Sequence, residues 1–136
     1  MNVMIWPQLS VRDGRAAVDF YRDAFGAVVD FQVGGTPENE ALVAQLSVGT
    51  AGFWVADESP PNRNFSPESL GGATSRMLLV VDDPDAVVER AIAAGATEVY
   101  PAQDEHGWRL GRVTDPFGHD WEIGRPHGSW PHLPES

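Results

Sequence analysis

With no cysteine among its 136 residues, this chain can hold a metal only through His, Asp or Glu, and disulfides and thiolate nucleophiles are excluded. Four histidines are available. His106 lies in Asp104-Glu105-His106-Gly107-Trp108, where a mobile imidazole could meet a ligand or act as a general base near neutral pH; a plain surface loop is the alternative. His119 directly follows the turn Asp115-Pro116-Phe117-Gly118, and alternation sends it to the helix side with Trp121, as for a structural histidine. His127 and His132 fall in a polar tail and read as solvated. Asp82, Asp83 and Asp85 look like a cation cluster, but they stand at a helix start, where capping and the macrodipole explain them better.

The wider composition removes several function classes. A formal charge of −11 argues against a nucleic-acid surface, which needs clustered cations; it fits either general solubility or attraction of a cationic ligand. No apolar run reaches the roughly 18 residues of a membrane span, and Met1 to Pro7 lacks the pattern of a secretory signal, so a cytoplasmic location is expected. There is no Gly-rich phosphate loop and no serine nucleophile elbow.

The elements that must position these groups come in two matching sets. Leu9-Ser10-Val11-Arg12-Asp13 opens a helix that closes on Gly26-Ala27, and about seventy residues later Leu79-Val80-Val81-Asp82-Asp83 opens another that closes on Gly95-Ala96. In the first half a strand is expected over 3–11, with Pro7 marking an edge, then a helix capped by Asp13 with Ala16, Ala17, Phe20, Tyr21 and Ala24 on one face. Strands at 27–33, 42–48 and 53–56 follow, the last two as a hairpin. The second half repeats the order: strand 76–81, a helix started by Asp83 and Pro84, then strands 97–100, 109–114 and 119–123. Residues 57–72 are rich in Pro, Ser, Asn and Gly and read as a linker. The expected layout is one domain over 1–124 (module one 3–57, linker 58–73, module two 74–124) and an irregular tail over 125–136, with Trp130 docking on the body or on a partner.

The strings Val11-Arg12-Asp13, Asp19-Phe20-Tyr21-Arg22-Asp23-Ala24-Phe25-Gly26-Ala27 and Asp115-Pro116-Phe117-Gly118-His119-Asp120-Trp121-Glu122 resemble the vicinal oxygen chelate superfamily of glyoxalases, bleomycin-resistance proteins and extradiol dioxygenases. The last string looks like its PhnB-like subgroup. The resemblance spans about residues 3–124. It implies an α+β fold of two tandem βαβββ modules pairing into a curved mixed sheet around an open cleft, commonly in a dimer. In the family's enzymes one divalent metal sits in that cleft on ligands from the first and last strands of each module, as a Lewis acid with an open position.

Carried over residue by residue, Glu122 matches the family's carboxylate ligand, whereas the two imidazole or amide positions fall on Trp6 and Arg76 and the fourth near Ala56 or Val55. Indole and guanidinium do not ligate metals. Arg76 would repel a cation and pair with Glu122, or else lie at a frayed strand end in solvent. Gln8 shares a strand face with Trp6 but is two residues out of register, which leaves it a pocket hydrogen bond, simple exposure or, with a bulge, ligation.

Five tryptophans are many for this length. Trp121 reads as core; Trp6, Trp54 and Trp108 border the expected cleft and suit either a planar or cationic ligand or a dimer interface. The leading expectation is a metal-independent small-molecule binding protein, a homodimer that takes up a toxic or antibiotic compound, cationic or aromatic, through Trp6, Gln8, Trp54, Arg76, Trp108 and Glu122. No cofactor is expected, and a divalent metal is disfavoured. The alternative is a lyase, isomerase or dioxygenase with a degenerate metal site, with Glu122 or His106 as catalytic candidate and Arg76 holding an oxyanion. A third reading is a binding module serving another protein, with the tail as its contact.

Overall fold

Asp13 turns the chain from strand to helix: its Oδ1 accepts the Ala16 amide at 3.1 Å, and Gly26, at φ 69°, closes the helix in the left-handed region that favours glycine. The computed structural model describes residues 2–132. Its order is β1 (Gln8–Val11), α1 (Gly14–Phe25), β2 (Val28–Val33), β3 (Val43–Val48), β4 (Ala51–Asp57), a short α2 (Pro67–Leu70), β5 (Arg76–Val80), α3 (Pro84–Ala93), β6 (Thr97–Glu105), β7 (Trp108–Thr114) and β8 (Asp120–Pro126). Each half is therefore a βαβββ module, and the fold is α+β with two mixed four-stranded sheets, ordered β1-β4-β3-β2 and β5-β8-β7-β6. In each, the first strand runs parallel to the last and the rest are antiparallel. No helix among the described residues is long and apolar enough to cross a membrane.

Alternation divides each sheet into a helix-facing and an open face. Leu9, Val11, Ala44, Leu46, Phe53 and Val55 bury against α1, and Val113, Trp121 and Ile123 join one continuous core with Val88 and Ala91 of α3. Aromatic rings bridge the modules: the Trp121 ring centroid lies 4.8 Å from that of Phe25, and 5.5 Å from those of Tyr21 and Phe53. Beneath them sits Asp115, 4% exposed, whose carboxylate accepts from Tyr21 Oη, Trp121 Nε1 (2.9 Å) and the Phe117 and His119 amides.

Three boundaries differ from the sequence expectation. The strand expected over 3–11 is laddered only from Gln8, since Val3, Met4 and Ile5 are exposed at 96%, 66% and 94%. β6 continues to Glu105, so His106 and Gly107 form a tight hairpin turn rather than a loop. β8 continues to Pro126 because β7 pairs with it out to Trp108.

The linker is tied down by Glu58, whose Oε1 accepts the Ser66 amide at 2.9 Å and whose Oε2 accepts the Ser69 hydroxyl at 2.9 Å, with Arg12 at 3.6 Å. These donors, the Ser66 amide foremost, hold its pKa below the usual 4.5. A lowered folded value means that the contribution is complete above 4.5 and is lost as pH falls through the folded value. Acidification is expected to lower amide protection at Ser66 and Ser69, measured against intrinsic exchange rates. Glu58→Gln should erase that pH step.

Candidate functional site

Hydrogen-bonded register lays four side chains in a row across the open face of the first sheet. Gln8 pairs with Trp54, Trp54 with Gln45, and Gln45 with Phe31, so amide and aromatic groups alternate from edge to edge. The Trp54 and Phe31 rings meet edge-on at 6.2 Å. Around them lies a shallow cavity of about 120 Å³ lined by Gln8, Ser10, Val43, Trp54 and Ala56. Not one of the four side chains in the row is charged, so the row offers stacking surface and hydrogen bonds.

The second sheet carries the equivalent row: Leu78 pairs with Glu122, Glu122 with Arg112, and Arg112 with Tyr100. Because Leu9 and Leu79 are repeat partners, Gln8 corresponds to Leu78, and the parallel ladders then make Trp54 the counterpart of Glu122. This corrects the fourth ligand position, expected near Ala56 or Val55. The error came from matching Gly52 to Gly118. Gly52 pairs inside the ladder with Ser47, whereas Gly118 belongs to the turn closed by the Asp115 amide and the His119 carbonyl.

The four symmetry-related positions thus hold Trp6, Trp54, Arg76 and Glu122. Arg76 Nε donates to Glu122 Oε1 at 2.7 Å, and Tyr100 Oη donates to Glu122 Oε2 at 3.1 Å. The hydrogen bond to Glu122 raises the Arg76 pKa further, and burial followed by the Glu122 charge raises that of Tyr100, so both stay protonated near neutrality. Two indoles and a guanidinium supply no metal ligand, and both oxygens of the one carboxylate are already engaged. Among the described residues no three His, Asp or Glu side chains converge. These residues do not fit the family's metal.

Arg112 bonds Asp120 at 3.1 Å through Nη2, yet its Nε is buried without a partner, which leaves one donor unspent beside Glu122.

The remaining candidates separate clearly. Trp6 is half-buried with its ring over Gly52; a Cβ there would stand 2.2 Å from Trp6 Cζ3. Gly52→Ala is therefore expected to displace the indole, shifting the Trp6 NH resonance in a proton–nitrogen spectrum while that of Trp121 stays in place. Trp108 shares the Glu122 face, since β7 alternates Trp108, Leu110 and Arg112, and it meets Trp130 edge-on at 5.3 Å, so Trp130 docks on the body. His106, at φ 50° with its side chain 89% exposed, caps the β6–β7 turn away from that row. His119 Nε2 faces the Ser10 carbonyl at 2.9 Å, which fixes the proton on that nitrogen and gives the ring a structural bond between modules. His127 Nε2 donates to Asp104 at 3.0 Å, and His132 is exposed. Asp83 caps α3, and Asp85 accepts from Arg109 Nε at 2.9 Å and Nη2 at 2.7 Å.

Within one chain Gln8 and Trp54 lie on the first sheet, with Trp6 just ahead of β1, and Arg76, Trp108 and Glu122 on the second, and among the described residues no ladder joins the two sheets. Gln45, Phe31, Tyr100 and Arg112 escaped the sequence reading. Alternation along their strands carried the only signal.

The family model "Glyoxalase/Bleomycin resistance protein/Dioxygenase superfamily" matches residues 4–123. The uncharacterized protein Mb0911c of Mycobacterium bovis is 40% identical over 124 residues, covering 88% of this chain and 81% of that one. Among solved structures, the Arabidopsis thaliana gene product At5g48480 superposes with TM-score 0.70 at 27% identity, over 92% of this chain and all of that one. TioX from Micromonospora sp. ML1 superposes with TM-score 0.69 at 26% identity, over 92% and 99%.

Proposed function

Given that the chain belongs to the glyoxalase/bleomycin resistance protein/dioxygenase superfamily, we propose that it is a metal-independent small-molecule binding protein that sequesters a planar aromatic compound, toxic or antibiotic in character. The observation that carries this reading is the replacement at the four equivalent positions: Trp6 and Trp54 where one module would supply ligands, and an Arg76–Glu122 pair in the other. Aromatic faces bind planar rings, whereas an occupied carboxylate is a poor Lewis-acid anchor and a poor general base. That weakens the lyase, isomerase and dioxygenase readings alike. The PhnB-like subgroup, suggested by the 115–122 string, and a cytoplasmic location belong to the same proposal.

A homodimer completes the site in this proposal. Phe31, Val33 and Val43 lie exposed on the open face of the first sheet, and Leu78 and Val80 on that of the second. Exposed apolar patches of this kind favour association, and packing the first face of one copy against the second face of another would enclose a ligand between Trp54 and Glu122. Gln8 and Gln45 then offer hydrogen bonds to ring heteroatoms or amides.

Titration with proflavine, a planar cation, followed by tryptophan quenching tests the reading, alongside equilibrium dialysis against Mn²⁺ and Zn²⁺. Saturable quenching at one site per cleft with the dye unchanged is expected, and no stoichiometric metal. Tight uptake of one metal per site, abolished by Glu122→Ala, would overturn it.

A further inference from the structure

The hollow beside Trp54, at about 120 Å³, is smaller than the roughly 300 Å³ at which small-molecule sites begin. It does not end at the sheet. Gln8 and Leu9, which line it, also line a cavity of about 340 Å³ between the two modules, where Ser75, Met77 and His119 form the opposite side. β1 is the edge strand of its sheet, so the two spaces meet over its free edge. The linker borders both, with Asn64 at the first and Phe65, Pro67 and Leu70 at the second.

Leu9, Phe65, Leu70 and Met77 give the larger cavity apolar walls, and Phe65 and Leu70 are still 42% and 66% exposed. Large apolar side chains held in water gain when something apolar covers them. The linker wall is fixed before any ligand arrives. Glu58 accepts from Ser66 and Ser69, the Ser66 hydroxyl caps α2, and Gly118 lies so close beneath Pro67 that a Cβ there would stand 2.7 Å from it. A preformed wall avoids the ordering cost of a loose loop. One polar group is left over: His119 lines the cavity, and because its Nε2 holds the proton toward the Ser10 carbonyl, its Nδ1 is an acceptor that no donor among the described residues meets.

We infer that the ligand has a short flexible arm beside its planar ring. The ring lies on Trp54, and the arm passes Gln8 over the edge of β1 into the cavity under the linker, apolar along its length and ending in a hydroxyl or N–H that donates to His119 Nδ1. Neighbouring strands lie about 5 Å apart, so an arm of a few methylene groups reaches from Trp54 past Gln8. The inference rests on the ring site proposed above and makes the linker the part of the chain that selects the arm.

Tryptophan quenching by acridone, N-butylacridone, N-(hydroxybutyl)acridone and the methyl ether of the last, which cannot donate, tests the arm. The butyl group should tighten binding about tenfold or more over acridone. The hydroxyl should bind about fivefold tighter than its ether. Thr74→Phe, at an exposed residue lining the cavity, should fill it and cancel the gain from the arm while acridone binds as before. In the unmodified chain the Leu70 methyl resonances should move with N-butylacridone and stay in place with acridone, a reading that needs no variant. Four results overturn the inference: no gain from the arm, a gain that survives Thr74→Phe in full, Leu70 methyls that ignore the arm, or an ether as tight as the hydroxyl. With acridone still binding, each of these leaves the ring site standing, whereas acridone that fails to bind removes the ring site and the arm together.

Discussion

Asp115→Ala is expected to lower the unfolding free energy by about 3–5 kcal/mol, since it leaves several buried neutral donors without an acceptor at about 1–3 kcal/mol each. The carboxylate is 4% exposed and serves four donors from three parts of the chain: the Tyr21 hydroxyl from α1, the Trp121 indole from β8, and the Phe117 and His119 amides of its own turn. Removing it strands the buried donors, each worth about 1–3 kcal/mol when left unpaired. Burial, then the neighbouring Asp115 charge, raises the Tyr21 pKa well above the usual value, so the hydroxyl remains a donor throughout the neutral range. Tyr21→Phe keeps the ring packed on Phe53 and Trp121 and deletes one hydrogen bond to a charged group, for about 1.5–3 kcal/mol. Urea unfolding of both single variants and the double variant should give a coupling energy well above zero, since they share one carboxylate. A loss under about 1 kcal/mol for Asp115→Ala would mean that its hydrogen bonds contribute little to holding the modules together.

What the sequence made legible were features written in local chemistry. Asp13 and Asp83 announced helix starts, Gly26 and Gly95 announced stops, and the buried stripe of α1 followed from helical spacing. The duplication made the two modules readable as one pattern used twice. Features that depend on a partner strand were less visible. Alternation from Val3 to Val11 looked like one long strand, yet the parallel ladder with β4 begins only at Gln8, opposite Trp54. The strand expected over 97–100 runs on to Glu105, with register shifts between Glu98 and Gln103 that accommodate Pro101.

The same limit governed the site. Arg76 and Glu122 were reached through the family resemblance, at positions that match its metal ligands, and their ion pair is formed at 2.7 Å. Trp54 was placed on the open face without being recognised as the counterpart of Glu122, because Gly52, a ladder residue, was matched to Gly118, a turn residue. Asp115 read only as a turn residue, since nothing in Asp115-Pro116-Phe117-Gly118 records that Tyr21, 94 residues away in sequence, donates to its carboxylate. Tyr100 and Arg112 reach Glu122 and its neighbour Asp120 only after three strands are in register.

Trp54→Ala is expected to weaken proflavine binding by about thirtyfold, corresponding to ~2 kcal/mol for loss of a central aromatic anchor. Trp54 is half-buried on an open face and makes its one close aromatic contact with Phe31, so the circular dichroism and the unfolding midpoint should change little. That combination separates a ligand anchor from a structural tryptophan such as Trp121, whose replacement would disrupt the core. Arg76→Gln should act in the opposite direction on the same dye. Glu122, with its side chain 19% exposed, would lose the Arg76 ion pair while keeping the Tyr100 hydrogen bond. The released carboxylate then attracts a planar cation more strongly, whereas an uncharged ring of the same shape should bind about as before. Comparing proflavine with acridone, its neutral analogue, across the two variants isolates stacking from charge. If Trp54→Ala left both affinities unchanged, the row across the first sheet would have no part in recognition. If Arg76→Gln weakened both equally, the ion pair would be shaping the site rather than masking its charge.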